Sequence, residues 1–390
     1  MAAIALIVFF TLGNLMTEFR FIHTSDLHLG KGFGSLPETL RGRLIEARHE
    51  VIDRLAEAAR AHKAGHVLVA GDMFDTTGPS AQVRRQAATA MRTAQDIQWW
   101  IIPGNHDSLR AEELWRAFEN EAGDNVHLMR DAAPVEIVPD VWLLAAPLPR
   151  QFPGTDLTAW MPKAGTSQGA FRIGLAHGGV VSFGENSDGS AVIPPDRAET
   201  AGLDYLALGD WHGRMKVTER TWYSGTPERD RFKHDGRGGC LAVTLIAPGA
   251  VPDVKSVDVG RFDWSTPELM LSPGMDVETE MARILSASIS TRRDVLVQLR
   301  VHGFLRMSER GRLDDEVTRV APDFACFSMR DGDLSTEYET TDLDLIATGG
   351  ALRSAAEELH AQARGVAGSA EDKRIAQAAL NRLWSLVREG

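Results

Sequence analysis

Three stretches decide the fold: residues 19–30, FRFIHTSDLHLG; residues 66–75, HVLVAGDMFD; and residues 98–107, QWWIIPGNHD. Each is an apolar run of strand length that ends in a polar turn. Helical patterns over Leu40 to Ala61 and Ser80 to Ala94 separate them, so the chain alternates strand and helix in the manner of α/β layering. In open α/β sheets ligands bind beyond the carboxyl ends of the strands, which is where these turns lie. The first turn offers Asp26 and His28, the second Asp72, and the third Asn105, His106 and Asp107. Later strand-like runs, Phe171 to Ala176 and Tyr205 to Leu208, lead into His177 and into Asp210 and His212. A GD after a strand is by itself commonly only a turn. Five such turns in succession, rich in carboxylate, amide oxygen and imidazole, form a ligand set suited to manganese, iron, magnesium or zinc. In the GNHD turn, Asn supplies a neutral oxygen, His a proton donor, and Asp an orienting partner for that His.

Composition narrows the function classes. The 390 residues exceed one ordinary core, so a main domain with smaller appendages is expected. With 43% hydrophobic and 25% charged residues the chain is ordinary globular material. The 42 Lys and Arg against 54 Asp and Glu give a formal charge of −12, which argues against gripping nucleic acid by bulk positive potential. Cys240 and Cys326 stand far apart in no CxxC pair, so neither a disulfide framework nor a thiolate zinc site is indicated, and a reducing cytoplasm fits. The apolar run Ala2 to Phe10 is too short to span a bilayer and lacks a preceding basic flank. Met16 opens directly onto the first strand, so residues 1–16 read as an N-terminal extension and no membrane association is expected.

The further strand-like pieces Met215 to Tyr223 and Gly239 to Ile246 group with those at 171 and 205 as a second strand set, and two sheets packed face to face with helices outside accommodate both sets. The pattern changes near Pro267: a strand, a helix from Val277 to Ser288, a β-rich stretch from Asp294 to Val301 and a helix around Ser308 to Arg319. The expected divisions are therefore 17–264 for the main domain, 265–348 for a small α+β domain and 349–390 for a helical segment. That last segment carries Leu352, Ala356, Leu359, Ala376, Leu380, Leu383 and Val387 at helical spacing. Such a stripe reports burial, either against the chain itself or against a partner.

DLH, GDMFD, GNHD, the lone His177 and GDWH, in this order over residues 19–260, resemble the calcineurin-like metallophosphoesterases. FIHTSDLHLGK and YSGTPE, with the small domain and helical tail, resemble the SbcD-type nuclease subunits of double-strand-break repair. The resemblance implies a two-sheet sandwich flanked by helices, a small α+β capping domain and a helical C-terminal tail. It implies two divalent ions, manganese first among them: one held by Asp26, His28, Asp72 and His212, the other by Asp72, Asn105, His177 and Asp210, with Asp72 as the bridge. Such an ion pair clamps a phosphate and provides a nucleophile at neutral pH. His106 would then protonate the leaving oxygen, with Asp107 holding its imidazole. DNA, an SbcC-type coiled-coil ATPase and a second copy of the chain are the implied partners. Two positions depart from the nuclease pattern, Asp210 and Asp75, each where a histidine is usual, and both add negative charge.

The segment Lys216 to Arg237 holds six Lys or Arg against four acids. Arg229, Arg231 and Lys233 beside Phe232 are candidate phosphate-backbone contacts, with a solvated mixed-charge loop as the other reading. Three functions follow: a DNA nuclease of repair, a phosphodiesterase or phosphatase acting on nucleotides or other small phosphoesters, and a non-hydrolytic scaffold. The small domain and helical tail motivate the first; the acidic charge, Asp75 and Asp210 motivate the second. His106 and Asp107 speak against the third, because binding alone does not require a proton donor.

Overall fold

The computed structural model describes residues 18–180, 192–285, 289–337, 343–365 and 369–389; the expected extension 1–16 lies outside the described residues. The chain forms two compact units, one running to Asp230 and resuming over Arg237–Phe262, the other made of Arg231–Gly236 and Asp263–Gly390. The helical segment after residue 349 thus belongs to the second unit.

The first unit opens with β1 (Phe19–Thr24), α1 (Glu38–Ala61), β2 (His66–Ala70), α2 (Ala81–Thr93), β3 (Gln98–Ile102), α3 (Glu112–Glu121) and β4 (Val126–Leu128). These strands pair in parallel in the order β1-β2-β3-β4. The helices form where the spacing demands: α1 buries Leu40, Leu44, Val51, Ile52 and Leu55 along one face. Ser80 caps α2, its side chain accepting from Val83 N at 3.3 Å.

A second sheet follows from β5 (Pro134–Val138), β6 (Val141–Ala146), β7 (Phe171–His177), β10 (Tyr205–Gly209), β11 (Met215–Lys216) and β12 (Thr221–Tyr223), in the order β11-β12-β10-β7-β6-β5. Between β7 and β10 lie a two-stranded ribbon, β8 (Gly179–Val180) with β9 (Val192–Ile193), and the short α4 (Arg197–Thr200). The single strand expected over 215–223 is a hairpin, because Thr218 Oγ1 accepts from the backbone N–H groups of Arg220 and Thr221 and turns the chain.

β13 (Gly236–Leu245) corrects a second expectation. It joins the first sheet, antiparallel to β1, with β14 (Asp253–Ser265) beside it. Its alternate residues are buried on both faces: Leu241, Val243 and Leu245 enter the core between the sheets, whereas Cys240 and Ala242 face the helical layer. Hydrophobicity alone does not say which sheet such a strand joins.

The inter-sheet core sets Phe19, Phe21, Leu68, Trp100 and Ile102 against Val141, Leu143, Phe171, Ile173, Leu175 and Tyr205. On the outer face of the first sheet, Ile22, Val67, Val69, Trp99 and Ile101 meet α1, α2 and α3 through Val51, Leu55, Met91, Trp115 and Phe118. Each such side chain contributes about 1.5–3 kcal/mol by leaving water. The two layers fix the strand ends, and with them the turns that follow.

The second unit holds β15 (Glu268–Leu271), α5 (Val277–Ile284), α6 (Ile289–Arg292), β16 (Val295–Arg306), α7 (Met307–Val320) and β17 (Cys326–Glu337), with β15-β16-β17 all parallel. The expected helix 277–288 ends at Ile284, and residues 286–288 lie outside the described residues. Three helices complete the unit: α8 (Leu343–Ile346), α9 (Gly350–Arg364) and α10 (Ala370–Glu389). Ala356 and Leu380 pack with Met307, Leu343 and Ile346, and Leu359, Leu383, Trp384 and Val387 cover them, so most of the apolar stripe serves its own unit. Leu352 departs from that stripe and is exposed.

Candidate metal centre

The turns after β1, β2, β3, β7 and β10 converge. The first two run side by side, with Asp26 N donating to Gly71 O and His28 N to Asp72 O, both at 3.0 Å. Asp26, His28, Asp72 and Asp210 have left-handed backbones, with φ of 55°, 45°, 53° and 99°. Non-glycine residues held in this region cost on the order of 1–3 kcal/mol each and cluster at functional sites. Gly104 permits the approach of the third turn: a Cβ there would stand 2.1 Å from Asp72 Oδ1.

Three groups of potential ligands share this space: Asp26 with His28 and His212, Asp26 with Asp72 and His177, and His28 with Asp72 and His106. His28 Nε2 lies 3.9 Å from Asp26 Oδ1 and 3.8 Å from Asp72 Oδ2. His212 Nε2 is 3.9 Å from Asp26 Oδ1 and 3.3 Å from His28 Nε2. On the other side, His177 Nε2 is 3.6 Å from Asp72 Oδ2 and 3.8 Å from Asp210 Oδ1. Asp72 Oδ2 therefore stands between His28 and His177, while Asp72 Oδ1 accepts from His106 N at 2.9 Å. Six of the seven expected ligands are joined by these distances. The seventh, Asn105, sits beside Asp72 in the Gly104 turn and leaves its Oδ1 buried with no hydrogen-bond partner.

Ring orientation follows from the far nitrogens. His177 Nδ1–H donates to Ala70 O at 2.8 Å, which aims a bare, buried Nε2 at the carboxylates. The Nδ1 atoms of His28 and His212 face Asp75 Oδ1 at 3.3 Å and Asp230 Oδ1 at 3.5 Å. Neither Nδ1 is hydrogen-bonded, so the carboxylates stand behind the imidazoles at ion-pair distance, where they favour the tautomer that presents Nε2 to a metal. Two converging Nε2 atoms, an unpartnered amide oxygen and a bare imidazole nitrogen are what a cation would satisfy, so the residues present fit divalent metal ions.

Electrostatics agree. Burial disfavours a charged His177, yet Asp72, Asp26 and Asp210 raise its pKa to about 9: the pocket draws positive charge. Burial likewise opposes ionisation of Asp26, but His212, His177 and His28 hold its carboxyl below the usual range. Burial lowers His28, leaving its imidazole neutral and able to ligate. The Asp26 carboxylate also accepts from Ser25 Oγ at 2.5 Å and from Asp210 N at 3.2 Å.

His106 is exposed, and its Nδ1–H donates to the backbone oxygen of Asp75 at 2.8 Å, leaving Nε2 free to face a substrate. This corrects the role expected of Asp107. The Asp107 carboxylate is fully buried and accepts from Gly104 N at 2.7 Å and Phe74 N at 2.9 Å, so it anchors the loop, while the Asp75 carbonyl orients His106. Asp75 likewise stands behind His28. Arg229, expected to contact substrate, is only 7% exposed, while Arg231 and Lys233 are exposed and belong to the second unit.

Sequence reasoning misses a ring of supports. Thr226 Oγ1 donates to Asp26 O at 2.8 Å, and the buried Arg48 donates to Leu27 O at 2.6 Å and Glu228 O at 2.7 Å, tying the first turn to the 226–230 segment. Lys31 and Asp230 lie behind the histidines. Lys31 falls in the FIHTSDLHLGK run and Thr226 in YSGTPE, so the motifs themselves hold the signal.

The chain matches the family described as Calcineurin-like phosphoesterase over residues 19–235 and belongs to it. Among curated proteins it is similar to the Uncharacterized metallophosphoesterase YhaO of Bacillus subtilis (strain 168), 27% identical over 241 residues, covering 59% of this chain and 58% of that one. The match thus spans little more than half of that relative's length. The chain is also similar to the SbcD subunit of Nuclease SbcCD from Rhodobacter capsulatus, 29% identical over 285 residues, covering 60% of this chain and 68% of that one. With the SbcD subunit of Escherichia coli (strain K12) it shares 36% identity over 95 residues, 23% of this chain and 22% of that protein. Among the described residues no helix is long and apolar enough to cross a membrane.

Proposed function

We propose that the chain hydrolyses phosphodiester bonds in DNA with two divalent ions, manganese by preference, as an exo- or endonuclease of cytoplasmic DNA repair working with an SbcC-type ATPase. The observation that carries the two-ion reading is Asp72 Oδ2 lying between His28 and His177, 3.8 Å from one and 3.6 Å from the other. Asp26, His28, Asp72 and His212 would hold one ion, and Asp72, Asn105, His177 and Asp210 the other. Bound there, the ions supply Lewis-acid neutralisation of a phosphate and activation of water. His106, its Nδ1 engaged with the Asp75 carbonyl, uses Nε2 to hand a proton to the departing oxygen. Asp107 keeps that loop in place through the two N–H groups it accepts. The choice of DNA and of the ATPase rests on similarity to the SbcD subunits of Nuclease SbcCD. Arg231 and Lys233 are the proposed backbone contacts, and a homodimer is the proposed assembly.

A second reading, hydrolysis of nucleotides or other small phosphoesters, draws on the charge of −12 and on the carboxylates at Asp75 and Asp210. Manganese-loaded protein assayed on linear duplex DNA, single-stranded DNA, cyclic nucleotides and an aryl phosphodiester separates the two, with His106→Ala as control. DNA turnover that vanishes in the variant supports the nuclease. Turnover confined to the small substrates overturns it.

A further inference from the structure

Behind the paired imidazoles runs a ring of charge that the reaction itself does not use. Lys31 Nζ lies 3.1 Å from Asp230 Oδ2 and 3.5 Å from Asp75 Oδ1. Asp75 Oδ1 is 3.3 Å from His28 Nδ1, Asp230 Oδ1 is 3.5 Å from His212 Nδ1, and the two Nε2 atoms meet at 3.3 Å. One ammonium thus grips both carboxylates that back the two histidines of a single metal site. His177 has no such support, since its Nδ1 is fixed by the Ala70 carbonyl.

We propose that Lys31 is a positioning residue: through Asp75 and Asp230 it sets the rotamers of His28 and His212, and so governs metal occupancy at that site but not at the one built on His177. This rests on the two-ion reading above. The physical case is one of competition. Asp75 and Asp230 are carboxylates near a cation site, and a cation bound there would attract both from behind the imidazoles. A three-donor ammonium shared between them holds both outward and offsets their mutual repulsion. Partners of this kind typically change metal affinity or activity by about 10–100-fold. The sign is diagnostic, because deleting a cation that had no positioning role strengthens metal binding by Coulomb's law.

The test is a manganese titration of metal-stripped protein, wild type against Lys31→Met, Lys31→Gln and Lys31→Arg. Bound ion is counted calorimetrically and by the loss of the free-ion EPR signal, and melting temperature is followed in parallel. The expected result is two sites in the wild type, with one weakened about 10–100-fold in Lys31→Met and Lys31→Gln and the other within about twofold. Lys31→Arg recovers most of the loss, and excess manganese restores aryl phosphodiester turnover in all three variants. Unchanged or tighter binding in Lys31→Met and Lys31→Gln overturns the proposal while leaving the two-ion reading intact. Wild-type protein that takes up fewer than two ions overturns that reading, and the role of Lys31 with it.

Discussion

Replacing Gly104 by alanine adds one methyl group at the most crowded point of the centre. The new carbon would stand 2.1 Å from Asp72 Oδ1 and 2.4 Å from Asp72 N, where ordinary contact begins at 3.4 Å. Something must therefore move by roughly 1 Å, a displacement that elsewhere costs about a hundredfold in rate. Asp72 has little freedom to yield, because its Oδ1 accepts from His106 N and its own φ is 53°. Retreat of the GNHD turn instead carries Asn105 and His106 away from the β2 turn. The expected outcome is a loss of about a hundredfold or more in manganese-dependent turnover of an aryl phosphodiester, weaker ion uptake, and a loss of stability of about 1–3 kcal/mol from overpacking. Gly34→Ala and Gly78→Ala are the controls, since a Cβ at either position has nothing within 4 Å. Turnover in Gly104→Ala within threefold of wild type, with unchanged ion stoichiometry, would refute the reasoning.

His106→Ala should lower turnover by about 10²–10⁴-fold while leaving ion uptake unchanged, which single-turnover kinetics beside a manganese titration will test. Asn105→Ala removes the buried oxygen that lacks a partner, so one ion of the pair should bind more weakly while the melting temperature of the metal-free protein holds or rises. Chelation should lower the melting temperature, and manganese at about a hundred times its dissociation constant should return about 2.7 kcal/mol, read by scanning calorimetry. His23 is fully buried, which lowers its pKa to about 3 against 6.5 for an unperturbed histidine. Its contribution to stability is whole above pH 6.5 and falls as acid is added, by about 1.4 kcal/mol per pH unit until about pH 3, because the unfolded chain takes the proton first. An imidazole NMR signal, assigned by its absence in His23→Gln, that titrates near pH 6.5 in the folded protein would contradict this.

The ligand turns are legible because each follows an apolar run whose ending is visible in the letters, and the chain direction of parallel strands sends all of them to one edge. Asp107 misleads because neighbours in sequence are not always neighbours in space: its carboxylate turns inward to backbone N–H groups that no residue type advertises. The same holds for Asp75, whose backbone oxygen and side chain serve different histidines. Sequence alone puts β13 in the wrong sheet because a strand buried on both faces looks alike wherever it is inserted. Lys31 and Asp230 escape notice for a further reason: an acid and a base in loops have many partners to choose from, and only the fold selects one.

The convergence of the turns has a consequence for how this unit is assembled. Asp26, His28, Asp72 and Asn105 extend from the first sheet and His177, Asp210 and His212 from the second, so neither sheet alone carries the full set proposed for either ion. Cations held there would act as rivets across the sandwich. Two fragments divided in the loop before β5 and expressed separately would reassociate through the β1–β13 pairing and the core between the sheets, and free manganese would tighten that reassociation, making reassembly itself a gauge of the metal.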